Sequence, residues 1–349
     1  MLALFLAQAS AAGKSVDLSA QFPGAAVRNQ GATNTCHVFS TIAQLEAAVH
    51  RRYGLTIPLS EADLFVRKVI EDPGYYQKVR EAMASVTGVE PVYRFVEWGD
   101  AKEDIEFAVK NGIARADTAP WPAFSKRYDA FVKGQRAELN AHDKILVMIG
   151  GAKTDLHRED SVMSAQEMAI HSDYFASVRQ NNFRKIDAEM TADQFSARKT
   201  FNEFLKQLEG RTHAEAEDLL LGKEPQRAKD HQLYKTLLQG FRVEQKFYDS
   251  KELADDACRA ASADRRAALI ATFDKGIPAG LSMDVGGLKE WGVDKGPASH
   301  AFTVTGYTTD AGGKVFLQSR NSWGGDNPSI SEDRFCRISR ILKVLGPTE

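Results

Sequence analysis

From Cys36 to Tyr53 the apolar residues Val38, Ile42, Leu45 and Val49 recur at spacings of four, three and four. That period puts them on one face and predicts a helix over this segment, with Gly54 as its stop. The stretch before it, Asn29-Gln30-Gly31-Ala32-Thr33-Asn34-Thr35, is rich in turn and N-cap residue types. Cys36 therefore falls at or beside a helix N-terminus. A second helix is expected from Ser60, with Asp63 three residues on as an approximate capping box. A third runs from about Asp100 to Asn111, burying Ile105, Ala108 and Val109 and closing at Gly112.

After Trp121-Pro122 the pattern changes. Pro225 is the only proline before Pro278, and the sequence between is rich in Ala, Glu, Lys, Leu and Gln, which reads as a mainly helical insertion over residues 123–265. From Ala279 the chain turns to short β-branched or aromatic runs at Gly280–Val285, Ala301–Tyr307, Lys314–Ser319 and Arg334–Ile338, with turn residues at Asp310-Ala311-Gly312-Gly313. Helices first and strands last give an α+β fold. A helical domain is expected over 14–122, the insertion over 123–265 and a β-rich domain over 266–349.

The balance of 45 Lys+Arg against 47 Asp+Glu, a net charge of −2, provides no global field for nucleic acid or an anionic membrane. No apolar stretch approaches the roughly 18 residues of a membrane span. Residues 1–13 carry a short apolar run and Ala9-Ser10-Ala11, the small-x-small form of a signal-peptidase site, without a basic region ahead of it. They are expected to be a signal-peptide remnant, which would make the protein secreted or periplasmic; the alternative is a mildly apolar terminus. Three cysteines leave at least one thiol unpaired within the chain. Export would permit a Cys258–Cys336 bridge, but the two could equally be buried small hydrophobes.

Cys36 has the setting a reactive thiol needs, since a helix N-terminus offers partial positive charge and free N–H groups. A nucleophilic thiol also needs an imidazole, and the imidazole an acceptor on its other nitrogen. His300 opens the Ala301–Tyr307 run and Asn321 follows one hairpin later, so adjacent strands would bring them within hydrogen-bond reach.

Val27-Arg28-Asn29-Gln30-Gly31, Cys36 with Phe39-Ser40, Leu59-Ser60-Glu61, Ser299-His300-Ala301 with Gly306-Tyr307, and Asn321-Ser322-Trp323-Gly324 together resemble the papain family of cysteine peptidases, in family order. The resemblance covers residues of about 16–122 and 266–340. It implies a two-domain fold with Cys36 as nucleophile, His300 as its ion-pair partner, Asn321 orienting His300, and Trp323 shielding that hydrogen bond. It implies also that Gln30 and the Cys36 N–H form the oxyanion hole, and that a polypeptide is the substrate, with no cofactor.

The departures from the family pattern carry expectations too. Thr33 stands where the family has a disulfide-forming cysteine, which puts the rigidity of that loop in question. His37 replaces the usual Trp and, diverging from its neighbour on the helix, reads as a wall residue. Of the family's Gly-Gly substrate-binding pair one glycine, Gly99, survives. The Cys36–His300 spacing exceeds the about 130–150 residues usual for the family, and the insertion absorbs the excess. No helical pro-region fits between Ala12 and Gln30, so residues 123–265 are expected either to cap the cleft or to form a platform for a protein partner.

Ile145–Thr154 faintly resembles a phosphate loop, but its Lys153 is displaced from the second glycine. No His-Glu-x-x-His or paired Cys-x-x-Cys occurs, and a metal site is not expected. The expected activity is peptide-bond hydrolysis through an acyl-thioester. The competing readings are a Cys/His amidase, deamidase or transamidase acting on protein side chains, and a non-catalytic peptide-binding protein.

Overall fold

The structure, a computed structural model, describes residues 14–24, 28–31, 33, 35–71, 99–126, 128, 211–248, 255–286, 288, 299–323 and 327–349. The N-terminal segment 1–13 and residues 129–210, with the Ile145–Thr154 motif, lie outside them. The chain divides into two compact units, one of residues 1–64, 97–120 and 225–349, the other of 65–96 and 121–224.

The first unit is mixed helix and antiparallel sheet. Its described strands are β1 (Ser15–Asp17), β2 (Arg242–Phe247), β3 (Ala279–Asp284), β4 (Ser299–Thr309), β5 (Val315–Arg320), β6 (Ser329–Ser331) and β7 (Ile338–Leu345). They lie in the order β2-β7-β3-β4-β5-β6, with β1 paired to the far end of β4, and every pairing is antiparallel. Gly306 is where β1 crosses: a Cβ there would sit 2.0 Å from the Val16 carbonyl oxygen. The sheet's apolar face, with Leu281, Met283, Phe302, Val304, Leu317 and Ile341, packs with Leu269 and Phe273 of α6 (Asp255–Phe273) into one core.

Helix α1 (Cys36–Tyr53) has the expected bounds and closes on Gly54 at φ 67, a conformation glycine adopts without a Cβ penalty. Only a single apolar face was expected to be covered, yet every residue from His37 to Val49 is buried. Helix α1 packs on β4 and also on α3 (Ala101–Asn111), so its polar residues need partners inside the protein. Ser40 and Thr303 supply one such pair through their hydroxyls at 3.3 Å, and Thr41 Oγ1 donates to the Ala101 carbonyl at 3.2 Å.

Helix α2 (Glu61–Glu71) starts after Ser60, whose hydroxyl accepts from the Asp63 N–H. The other half of the expected capping box is absent, because Asp63 is committed elsewhere: it accepts from the Ala114 N–H and pairs with His231. In α3, Ile105 and Ala108 are buried as expected, but Val109 is only half-buried and Asp104 is fully buried.

The strand expected over Arg334–Ile338 is a 3-10 turn, Glu332–Arg337, followed by β7. Phe335 and Cys336 are buried from that turn, which makes a short apolar run without strand geometry. Cys336 is bridged to Cys258 on α6, with Cα atoms 5.1 Å apart, inside the usual range. Within the expected insertion, α5 (Pro225–Leu237), β2 and α6 belong to the sheet-bearing unit, β2 as the edge strand beside β7.

The second unit holds α4 (His213–Leu221), entered through a complete capping box between Thr212 and Glu215. It also holds a cluster of Phe65, Trp121, Phe124 and Tyr128 with ring centroids 5.1–6.0 Å apart, the separation at which aromatic pairs attract.

Candidate active site

Cys36 is the first residue of α1 and carries a free thiol. Two influences act on it in opposite directions. Burial pushes the thiol up from its ordinary value, and the N–H groups of Ala301, His37 and Cys36 pull it down without winning. The helix-terminus effect expected from the sequence is thus present and outweighed by desolvation. The Ala301 contact also fixes where the sulfur lies: against β4, one residue from His300.

His300 is 2% exposed. Its Nε2 lies 2.7 Å from Asn321 Oδ1. An amide oxygen only accepts, so Nε2 carries the proton and Nδ1 the lone pair that would take a thiol proton. The Trp323 ring covers this bond, its centroid 4.1 Å from that of the imidazole, and Phe302 stacks at 5.6 Å. Burial lowers His300 to about 4, the Asn321 bond opposing it. Neither group favours a charge by itself.

The β4–β5 register explains how His300 and Asn321 meet: Thr303 lies opposite Arg320, the last residue of β5, and Asn321 continues from there. Its N–H donates to Asn327 Oδ1 at 2.8 Å, which holds the turn in place.

Gln30 is laced to the same segment. Its N–H donates to the Ser322 carbonyl at 2.8 Å, Asn29 forms a bridge with Trp323, and Ser322 Oγ donates to Gln30 Oε1 at 2.5 Å. One amide N–H of Gln30 goes to the Thr33 carbonyl at 2.5 Å. Thr33 Oγ1 donates back to the Gln30 carbonyl at 2.9 Å and lies 2.6 Å from Thr35 Oγ1. These bonds join Gln30, Thr33 and Thr35 of the loop to one another.

Beneath this loop lies a buried ionic cluster that sequence reasoning missed. Arg28 pairs with Glu61 and, at 2.5 Å, with Glu46, and it donates to the Leu59 carbonyl. Burial pushes Glu46 up to about 7 and Glu61 also upward, against the pull of Arg28. With Arg320, Asn321 and Ser322 these residues line a cavity of about 20 Å3, room for one water. Arg28 is two residues before Gln30 and Arg320 one before Asn321, so the cluster underlies both.

Gly99 lies on the other side of the α1 N-terminus, against His37. His37 is buried, with Nδ1 2.5 Å from Asp104 Oδ2. The buried carboxylate paired with it was not expected from the sequence.

No protein-family model and no curated protein matches the sequence. Among solved structures the chain is similar to PepW from Lactobacillus rhamnosis, with 12% identity and a TM-score of 0.45 over 96% of this chain and 81% of that one. It is similar to a recombinant stem bromelain precursor, with 13% identity and a TM-score of 0.41 over 99% and 74%. The same holds for digestive procathepsin L 3 of Tenebrio molitor larval midgut, with 11% identity and a TM-score of 0.40 over 99% and 73%. The chain's own elements define the class, an α+β fold of mixed helix and antiparallel sheet; at such scores the likenesses add no argument to it.

Proposed function

We propose that the protein is a cysteine peptidase that hydrolyses peptide bonds through Cys36, His300 and Asn321. The observation that carries this reading is the His300 Nε2–Asn321 Oδ1 bond of 2.7 Å under the Trp323 ring, on the strand whose Ala301 N–H reaches the Cys36 thiol. An imidazole so oriented, beside a thiol at a helix N-terminus, is the apparatus of nucleophilic acyl transfer.

In the first step Cys36 Sγ bonds to the scissile carbonyl carbon as its proton passes to His300 Nδ1. The resulting oxyanion accepts from the Cys36 N–H and the Gln30 amide. The carbon–nitrogen bond then breaks, the amine leaves with the proton from His300, and an acyl-thioester remains on Cys36. Water attacks this ester, giving its proton to His300, and the carboxylic acid departs as the thiol is regenerated. No cofactor takes part in this sequence. Gly99 would hold the substrate backbone. The Cys258–Cys336 bridge supports export to an oxidising compartment, and no described helix is long and apolar enough to cross a membrane. Part of residues 123–265 would cap the cleft or bind a protein partner.

Incubation with casein tests the reading. New peptide termini with the wild type and none with Cys36→Ala are expected, whereas ammonia release without chain cleavage would replace hydrolysis by side-chain deamidation.

A further inference from the structure

Cys36 and His37 are consecutive residues of α1, and consecutive helical side chains diverge by about 100°. The thiol goes toward β4, the imidazole toward the segment that enters α3. There the ring lies flat on Gly99. A Cβ built on Gly99 would sit 2.5 Å from His37 Cε1, 2.9 Å from Nδ1 and 3.1 Å from Nε2, the first two closer than real Cβ atoms approach a neighbour. The imidazole cannot move aside cheaply, because Nδ1 is held at 2.5 Å by Asp104, which is fully buried.

The rest of this segment is fastened as well. Asp100 caps α3 by accepting from the Lys102 N–H at 2.7 Å and is paired with Arg340 of β7. The Ala101 carbonyl accepts from Thr41 on α1. Residues 99–101 are thus strapped to α1 at two points and to β7 at a third, and the contact nearest the nucleophile is made by the residue next to it in sequence.

We infer that His37, fixed by Asp104, is a positioning residue that sets the Gly99 backbone at the distance from Cys36 which an extended peptide substrate requires. The inference rests on the peptidase reading. One turn of α1 then fixes both the attacking sulfur and the opposite rail of the cleft, and glycine is required at position 99 by the imidazole packed under it. This gives His37 a reason to be in the wall that does not require it to act as a base.

The test compares two alkylation rates at Cys36 in the full chain: one with an epoxysuccinyl-peptide, which must lie along the rail, and one with iodoacetamide, which need not. Their ratio cancels losses of folded protein or of thiol reactivity. Losing one rail hydrogen bond should lower the ratio about tenfold in Gly99→Ala and in His37→Ala. Gly99→Ala combined with His37→Ala should lose no more than either single variant, because both changes remove the same rail hydrogen bond. Asp104→Asn, which still offers an acceptor to Nδ1–H, should keep the ratio, and Asp104→Ala should lose it. An unchanged ratio in either Gly99→Ala or His37→Ala, or losses that multiply in the double variant, overturns the inference and leaves the peptidase reading standing. A wild type that shows no preference for the peptidyl reagent instead overturns the peptidase reading itself.

Discussion

Replacing Cys258 and Cys336 together by serine opens a bridge between residues 78 apart in sequence. The bridge holds α6 to the 3-10 turn that leads into β7, within the unit that carries the site. In the chain-entropy treatment, closing such a loop lowers the entropy of the unfolded chain by about 15 cal/mol/K, worth about 4.5 kcal/mol at 25 °C. Against native stabilities of about 5–15 kcal/mol, that is a large share. With a urea slope of about 3 kcal/mol/M, the unfolding midpoint of the double variant should fall by about 1.5 M, followed by tryptophan fluorescence without reductant. Reductant should bring the wild type to the same midpoint and leave the variant where it is. A shift below about 0.3 M, or three thiols titrating in the unreduced native protein where Cys36 alone should titrate, would refute the reasoning.

Three further outcomes are expected. Arg28→Met leaves Glu46 and Glu61 buried without their cation, at a cost of about 3–5 kcal/mol once they ionise. Since Glu46 is pushed up to about 7, the loss of urea midpoint should be greater at pH 8 than at pH 5, and equal losses would contradict the cluster's role. Gln30→Ala should lower kcat by about 10²–10³ with little change in KM; steady-state kinetics showing the reverse pattern would remove Gln30 from the oxyanion hole. In Cys36→Ser, where no thiolate faces it, His300 should titrate near 4 by NMR, and a midpoint near its ordinary value of about 6.5 would contradict burial as the cause. A folded value lowered below the unfolded one contributes stability that is complete above pH 6.5 and lost as pH falls through 4, roughly 3 kcal/mol in all. The urea midpoint should accordingly lose its His300-dependent part across that window in His300→Phe.

The elements that place the site were legible where one period dominated. Val38, Ile42, Leu45 and Val49 located α1, and the Ala301–Tyr307 and Lys314–Ser319 runs around the Asp310-Ala311-Gly312-Gly313 turn located the Ser299–Thr309 and Val315–Arg320 strands. Strand β2 was not legible, because Arg242–Phe247 is an edge strand with polar, mostly exposed positions and no apolar alternation. The 3-10 turn at 332–337 was misread because a short apolar run has no period of its own. The Arg28–Glu46–Glu61 cluster was hidden for a different reason: charged residues are read as solvated until distant segments bring their partners, and these three come from a loop and two helices. Asp104 was concealed in the same way on an otherwise exposed-looking face of α3. The signal that could have flagged it was His37, a titratable residue directly after Cys36 at the start of α1.

The central claim is that Cys36 is the nucleophile activated by His300. Mass mapping after treatment with an epoxysuccinyl-peptide, without reductant, tests it most directly. The account predicts a single adduct, on Cys36, formed by the wild type and abolished or strongly slowed in His300→Ala. No adduct on Cys36, or an adduct that forms at an unchanged rate in His300→Ala, would contradict it.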